Sequence, residues 1–229
     1  MVGQAPDSLL TDMVAHWSCD EGTGGTLVDH SGNGYDGVIL GATWIPGRFG
    51  NGIHFESGDS VTVGESFPQA NKSWSVSLWV RPPNADLGDS YVTLISTEIP
   101  FVGGWEMNAR VTSWDMEYHF GYPRQSDAGD AYEYYTCANC VDVGVWTHLV
   151  AVVDSSQMQL SFFKNSVLLN QSPITDLIQP GSPALYLGRW SKEGRYFVGD
   201  LDDIVVYRRA LTQPEISSLY AQPAPSTPG

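Results

Sequence analysis

Residues 74–80, Trp74-Ser-Val-Ser-Leu-Trp-Val80, decide the fold class of this chain. Trp74 and every second residue after it are apolar and share one face of an extended segment, while Ser75, Ser77 and Trp79 share the other. A period of two residues is typical of a β-strand that buries one face. The stretch therefore predicts a strand with an apolar face turned toward a core.

Strand-like segments continue on both sides of this stretch. Residues 146–153 are apolar on both faces, as is typical of a strand that is covered on both sides. Residues 157–163 and 167–169 flank Lys164-Asn165-Ser166, which predicts a hairpin. Further candidate strands lie at residues 14–18, 35–40, 52–55, 60–63, 93–96, 105–111, 116–122, 184–187 and 201–207. The pattern predicts an all-β fold of two packed antiparallel sheets.

One helix signal lies near the end of the chain. Thr212-Gln-Pro-Glu215 matches a capping box, and an apolar stripe follows it at Ile216, Leu219 and Tyr220. We expect a short C-terminal helix that seals one end of the sandwich. The predicted organisation is an N-terminal extension over residues 1–12, one sandwich domain over 13–221 and a Pro-rich linker over 222–229. The linker indicates that the domain is part of a multidomain protein.

Composition narrows the possible partners. The chain has 229 residues, of which 42% are hydrophobic, so it can bury a large core. With 26 acidic and 11 basic residues its net charge is −15, which disfavours nucleic acid as a partner. No run of about 18 apolar residues predicts a membrane span. Eight Trp and eleven Tyr exceed what such a core needs, so we expect some rings at the surface.

The three cysteines point to an oxidising compartment. Cys137 and Cys140 lie in a polar, Tyr-rich stretch with no second pair and no nearby His, which gives zinc poor support. We interpret them as a small loop-closing disulfide, as expected of an extracellular or cell-surface protein. Cys19 follows a candidate strand and is predicted to be a buried free thiol.

Two segments near the chain ends carry a family resemblance. One runs from Trp17-Ser-Cys-Asp-Glu through Asp29-His-Ser-Gly-Asn-Gly-Tyr-Asp-Gly37 to Phe55, and the other is Gly199-Asp-Leu-Asp-Asp-Ile-Val-Val-Tyr207. Together they resemble laminin-G-like domains of the concanavalin A-like lectin/glucanase superfamily. The resemblance implies a jelly-roll sandwich whose first and last strands lie close together, often with a bound calcium ion. It leaves function open, because the superfamily includes lectins, carbohydrate-binding modules, adhesion domains and glycosidases.

The first candidate functional site is a calcium-binding site. The loop over residues 29–37 concentrates side-chain oxygens and glycines, and calcium prefers six to eight oxygen ligands. The predicted ligands are Asp29, Asn33 and Asp202, with Asp20 or Glu21 as further candidates. Strict alternation places Leu201 with Val205 and does not choose between Asp202 and Asp203, so the choice of Asp202 rests on the resemblance. The alternative is an Asx-type turn that holds no metal.

An aromatic binding platform is the second candidate. Sugar rings stack their C–H faces on aromatic side chains, while polar groups bind the hydroxyls. The candidate rings are Trp105, Trp114, Tyr132, Tyr134, Tyr135 and Trp190. The candidate donors are Arg189, Arg124 and Arg195. The alternative for each ring is an ordinary place in the core.

Catalysis finds less support in the sequence. Retaining glycosidases need two carboxylates about 5–5.5 Å apart. Asp115 and Glu117 share a strand face, but no third acid follows at the required spacing, and Glu98 and Glu106 lie elsewhere. We therefore predict a non-catalytic, lectin-like module that binds a glycan or polysaccharide, with calcium as a scaffold ion. A protein–protein adhesion domain is the alternative, and a polysaccharide-degrading enzyme is the lesser one.

Overall fold

The computed structural model describes residues 7–64, 66–68, 70, 72–83, 91–99, 102–111, 116–124, 131–137, 139–192 and 194–224. Within these ranges the chain forms sixteen β-strands in two antiparallel sheets, a short 3-10 helix (Asp7–Leu10) and one α-helix, α1 (Gln213–Ala221). The predicted all-β jelly-roll sandwich with one short C-terminal helix is confirmed. The nine residues of α1 are far fewer than a membrane-spanning helix needs, and no other α-helix lies within the described ranges.

Each sheet contains eight strands. The first sheet has, in spatial order, β14 (Val167–Pro173), β13 (Gln159–Lys164), β12 (Thr147–Asp154), β7 (Trp74–Arg81), β16 (Gly199–Tyr207), β5 (Asn51–Phe55) and β4 (Thr43–Pro46), while β1 (Met13–Trp17) also pairs with β16. The second sheet has β11 (Ala131–Cys137), β10 (Met116–Arg124), β9 (Glu106–Val111), β8 (Val92–Ser96), β15 (Leu185–Leu187), β6 (Ser60–Val63), β3 (Gly37–Leu40) and β2 (Thr26–Leu27).

The core between the sheets follows the predicted alternation. On β7, Trp74 and its alternate residues up to Val80 are buried in the main core, and Trp79 lies on the opposite face. On β12, Leu149 belongs to the main core, whereas Val150 belongs to a second cluster on the outer side of the first sheet. The prediction that this strand is covered on both sides is confirmed.

The helix α1 lies on the outer face of the first sheet, not over an end of the sandwich as the sequence suggested. Its Ile216 and Leu219 pack with Val150, Val205 and Tyr207, which point away from the main core. The physical reason is that the outward side chains of β12 and β16 are themselves apolar and need a cover. The capping box is confirmed, because the backbone N–H and the hydroxyl of Thr212 both donate to Glu215 Oε2, at 2.9 and 2.8 Å.

The first and last strands meet, as the resemblance implied. Strand β1 pairs antiparallel with β16, with Met13 opposite Tyr207 and Trp17 opposite Ile204. Strand β16 contains a bulge relative to β7 between Asp202 and Val205.

This bulge overturns the strict alternation predicted for β16. Asp203 adopts a left-handed backbone conformation with φ of 43°, and the extra residue shifts the side-chain pattern by one. Leu201 consequently lies in the main core with Ile204 and Val206, not on the face of Val205. The correction matters because it sets where the two aspartates point.

The cysteine predictions are confirmed. Cys137 at the end of β11 forms a disulfide with Cys140, with their Cα atoms 5.7 Å apart. Cys19 is free and fully buried. Burial raises the pKa of the Cys19 thiol well above its usual value, and the nearby acids Asp202 and Glu21 add to this effect.

Candidate functional site

Asp29 organises the loop that follows β1. Its carboxylate accepts hydrogen bonds from the backbone N–H groups of His16, Ser31 and Tyr35, each at 2.9 Å. The Ser31 hydroxyl donates a fourth, at 2.8 Å. Asn33 in turn donates its side-chain amide to the Met13 and Val14 carbonyls. The loop is therefore held to β1 by hydrogen bonds that resemble those of an Asx turn.

The Asp202 carboxylate also accepts hydrogen bonds from backbone N–H groups. Its Oδ2 accepts the backbone N–H groups of Arg48 at 2.7 Å and Phe49 at 2.8 Å, and its Oδ1 accepts that of Asp203. Burial raises the pKa of Asp202 to about 8, although the N–H donors of Phe49 and Arg48 act in the opposite direction.

These contacts do not fit the predicted calcium site. The oxygens that a calcium ion needs on Asp29 and Asp202 already accept N–H or O–H donors, and Asn33 directs its amide nitrogen to β1. Within the described ranges no group of three or more His, Cys, Asp or Glu side chains has a metal-binding arrangement. We derive no function through a metal ion.

The predicted aromatic platform is not assembled as one surface. Trp105 is 1% exposed and packs in the core, 6.3 Å from Trp74 and 6.0 Å from Phe120 between ring centroids. This corrects its interpretation as a ligand contact, because a ring between two sheets offers no face to a ligand. Trp114 lies outside the described residues.

The tyrosines of the same prediction lie on β11, at an edge of the second sheet. By backbone register Tyr132, Tyr134 and Tyr135 are opposite Pro123, Gly121 and Phe120 of β10. Their role as ligand contacts stays a prediction, and so does that of Arg124 at the end of β10.

Arg189 and Trp190 lie together after β15, on the outer side of the second sheet. The Arg189 guanidinium lies 4.1 Å from the ring centroid of Tyr186, and the Trp190 indole N–H donates to Glu98 Oε2 at 3.1 Å. Arg195 lies over the Trp190 ring at 4.3 Å. One face of Trp190 is therefore occupied by Arg195, and the role of this ring as a ligand contact stays a prediction.

Beneath these residues lies a buried pair of acids, Glu98 and Glu106, each 1% exposed. Burial and a hydrogen bond from Glu98 raise the pKa of Glu106 to about 8, while Arg195, which contacts both Glu106 oxygens at 3.2 and 3.3 Å, opposes the rise. Two hydrogen-bonded carboxyls share a proton, and they are too close for the roughly 5 Å spacing of a retaining glycosidase.

Glu117, the other acid considered for catalysis, is held by Arg110 and His119 at 3.4 and 3.1 Å. Asp115 lies outside the described residues.

A cavity of about 380 Å³ lies beside the paired chain ends. Its lining includes His16, Glu21 and His30 together with Pro223 and Ala224. His30 and the Val28 backbone N–H both contact Glu21 Oε1, at 3.3 and 3.2 Å.

A second cavity is an open groove of about 370 Å³ on the outer face of the first sheet. We call it the Trp79 groove, and its lining residues are Arg48, Trp79, Arg81, Gly144, Val145, Trp146 and Tyr220. Trp79 is 2% exposed, and the 37% exposed ring of Tyr220 stacks on it with centroids 5.6 Å apart and planes 14° apart. The half-buried ring of Trp146 lies 4.9 Å from the guanidinium carbon of Arg81.

Hydrogen bonds hold each wall of this groove. Asp202 binds the turn that carries Arg48, and Gly47 approaches so closely that a Cβ there would lie 2.7 Å from Asp202 Oδ2. On the other side the Gly144 N–H donates to the Pro82 carbonyl at 2.8 Å, which places Trp146 beside β7. Asp202 thus positions the turn that carries Arg48, and its role as a metal ligand stays a prediction.

No single segment of the sequence reveals this groove. Its residues come from the turn before β5, from β7, from the segment before β12 and from α1. One local signal was present: Trp79 lies among serines on the face of β7 that turns away from the core. A large aromatic residue on such a face needs either a cover or a ligand.

Two packed antiparallel sheets with paired first and last strands define the class of jelly-roll β-sandwich domains. A profile of the Laminin_G_3 family, described as concanavalin A-like lectin/glucanases superfamily, matches residues 55–217. The chain belongs to this family.

Known proteins similar to this chain include a botulinum-like toxin, a domain of an arabinanase and the binding domain of a mosquitocidal protein. The chain is 28% identical over 159 residues to the botulinum-like toxin eBoNT/J of Enterococcus sp. (strain 3G1_DIV0629), and the match covers 66% of this chain but only 12% of the toxin. Domain 4 of the GH43 extracellular arabinanase AbnA from Geobacillus stearothermophilus, solved in complex with arabinotriose, has a TM-score of 0.67 at 21% identity, covering 92% of this chain and 98% of that domain.

The binding domain of Paraclostridial Mosquitocidal Protein 1 has a TM-score of 0.69 at 16% identity, covering 93% of this chain and 52% of that one. At these identities the structural matches show the fold.

Proposed function

We propose that this domain is a non-catalytic carbohydrate-binding module of a larger extracellular protein, and that it holds its glycan in the Trp79 groove. The observation that carries the proposal is the combination in one open groove of two partly exposed aromatic rings, Tyr220 and Trp146, with two guanidinium groups, Arg48 and Arg81.

The rings are prepared for stacking. Tyr220 lies on Trp79, and Trp146 has Arg81 against it, so the orientation of each ring is set before a ligand arrives. A rigid ring loses little conformational entropy on binding, and its apolar face matches the C–H face of a pyranose or furanose. The volume of about 370 Å³ lies at the lower end of the range for small-ligand pockets, which suits one or two sugar residues.

Location and chemistry are consistent with this role. The Cys137–Cys140 disulfide favours an oxidising compartment, and the arabinanase domain with arabinotriose shows that a sandwich of this fold accommodates an oligosaccharide. Among the acids considered for catalysis, Glu98, Glu106 and Glu117 are committed to internal pairs, which favours binding over hydrolysis. Calcium is not part of the proposal.

A glycan array followed by titration calorimetry tests this function. We expect at least one glycan to bind, and Tyr220→Ala and Trp146→Ala each to weaken binding about tenfold or more, which corresponds to the loss of one stacking contact. Tyr186→Ala is the matched control, because it removes a partly exposed aromatic ring from the opposite sheet. Circular dichroism of each variant shows that the fold is retained.

Two outcomes would overturn the assignment. Loss of binding in Tyr186→Ala with full binding in Tyr220→Ala would move the site to the second sheet. Absence of binding to every glycan at millimolar concentration would reject carbohydrate binding altogether.

Protein–protein adhesion is the second candidate, and one observation favours it. Strand β14 is an edge of the first sheet and exposes three consecutive apolar residues, Val167, Leu168 and Leu169, at 61%, 43% and 41%. An exposed apolar edge strand can pair with a strand of another chain. Sedimentation velocity tests this candidate. Association that increases with concentration and that Leu168→Lys abolishes would favour homophilic adhesion. A chain that stays monomeric up to millimolar concentration would rule homophilic adhesion out.

A further inference from the structure

We propose that the Trp79 groove selects a sugar that carries a carboxylate, such as a uronic acid. This inference rests on the proposed function and narrows it to a class of glycan. The charges that line the groove and the hydrogen-bonding capacity that its two arginines leave unused both favour this class of glycan.

The groove is locally positive on a strongly acidic protein. The chain has 26 acidic and 11 basic residues, yet two of the seven residues that line the groove are arginines and none is acidic. The distant negative charges are screened over about 8 Å at physiological ionic strength. Asp200 pairs with Arg81 at 2.6 Å and offsets one of the two positive charges, so the net positive charge of the groove comes from Arg48.

The guanidinium of Arg48 contacts two aromatic rings. The group lies 4.7 Å from the ring centroid of Trp79 and 5.1 Å from that of Phe49. Its side-chain N–H donors form no hydrogen bond with a described residue, so they are available to a ligand. No carboxylate among the described residues lies within ion-pair distance of Arg48, whose side chain is exposed.

Arg81 is anchored through one nitrogen. Its Nε donates to Asp200 Oδ2 at 2.6 Å, and the other oxygen of Asp200 contacts His54 Nδ1 at 2.6 Å. The two terminal nitrogens of Arg81 form no hydrogen bond with the described residues. Asp200 thus fixes the direction of the side chain and leaves its outer edge to a ligand.

Two pre-oriented guanidinium edges favour an anion over a hydroxyl. A carboxylate accepts two parallel N–H donors from one guanidinium, and such charge-assisted pairs are roughly twice as strong as neutral hydrogen bonds. A hydroxyl group of a neutral sugar accepts these N–H donors only one at a time. The aromatic rings therefore contribute to the binding of any sugar, whereas the arginines discriminate between acidic and neutral sugars.

The test compares trigalacturonate with its methyl ester, which has the same rings but no charge. We expect the free acid to bind at least tenfold more tightly in titration calorimetry, with the difference shrinking as salt is raised. Arg48→Gln is expected to weaken binding of the acid much more than binding of the ester, which brings the two affinities within about twofold of each other. Arg208→Gln, at an exposed arginine outside the groove, is the matched control and is expected to change neither affinity.

The failures of the two proposals are distinguishable. Equal binding of acid and ester, both lost in Tyr220→Ala, would overturn the charge inference and leave glycan binding intact. No binding of either probe, with neutral glycans bound on the array, would also overturn it. Tighter binding of a sulfated galactose trisaccharide than of trigalacturonate would replace the carboxylate by a sulfate. No glycan binding at all would reject the proposed function itself.

Discussion

Asp203 Oδ1 lies 2.8 Å from His16 Nε2, and this contact joins the last strand to the first across 187 positions of sequence. Both residues are buried, at 2% and 0% exposure. Asp203 Oδ2 also accepts the Ala224 backbone N–H at 3.0 Å. One carboxylate therefore ties β1, β16 and the segment after α1 together, and it occupies the bulge that breaks the alternation of β16.

Replacing Asp203 tests this link. Removing one partner of a buried polar pair leaves the other without a partner, and we expect Asp203→Ala to lower the free energy of unfolding by about 3 kcal/mol. Asp203→Asn is the matched variant, because Asn tolerates the left-handed backbone and keeps one acceptor, so it should cost less. Urea denaturation measures both values. An unchanged midpoint for Asp203→Ala would show that the contact contributes nothing to stability.

Removal of metal ions is the second test. Asp29 accepts four hydrogen bonds from its own loop and from β1, so the loop is stable without an ion. We expect the melting temperature to be unchanged in the presence of EDTA and in the presence of millimolar calcium. A fall of several degrees on chelation, reversed by calcium, would contradict this and restore the calcium site predicted from the sequence.

The fold was predictable because burial and strand periodicity are coupled. Alternation in residues 74–80 placed the core face of β7 correctly, and the end segments predicted the pairing of β1 with β16. The bulge at Asp203 was not predictable, because an inserted residue changes the phase of a strand without changing its composition. Trp105 was predictable in principle: it shares the alternation of Met107 and Ala109, both of which are buried in the core.

The candidate site depended on contacts that no local pattern contains. Arg48 and Tyr220 both contact Trp79, although they belong to segments far apart in the chain. Residue type alone showed that surplus aromatic rings exist, but it did not show which of them lie at the surface. Only the tertiary structure brings two arginines and two exposed rings to one groove.

The Glu98–Glu106 pair predicts a dependence of stability on pH. The pKa of Glu106 is raised from 4.5 to about 8 in the folded protein, so the folded state holds a proton that the unfolded state releases. The stabilisation is complete below about pH 4.5 and is lost as the pH rises through 8. Denaturation between pH 5 and pH 9 should show wild type losing stability relative to Glu106→Gln, by a few kcal/mol. A constant difference across this range would contradict the shared proton.

Glu215 predicts the opposite dependence at acidic pH. Burial alone would raise its pKa, but hydrogen bonds from Arg209 at 2.8 and 2.9 Å and from Thr212 hold the pKa near 2. Its stabilisation is therefore present above about pH 4.5 and is lost as the pH falls through 2.

We accordingly expect Glu215→Gln to destabilise the domain by about 2 kcal/mol at pH 7, because it breaks a bidentate ion pair and a helix cap. The difference from wild type should shrink between pH 4.5 and pH 2 in thermal unfolding. Glu56→Gln, at a side chain that is 72% exposed, is the matched control and should change stability little at either pH. Amide hydrogen exchange in α1 gives a local measurement, since Arg209 also donates to the Ser8 and Thr11 carbonyls and so holds the N-terminal segment near the helix. Unchanged exchange in α1 would show that the helix is held by its apolar face alone.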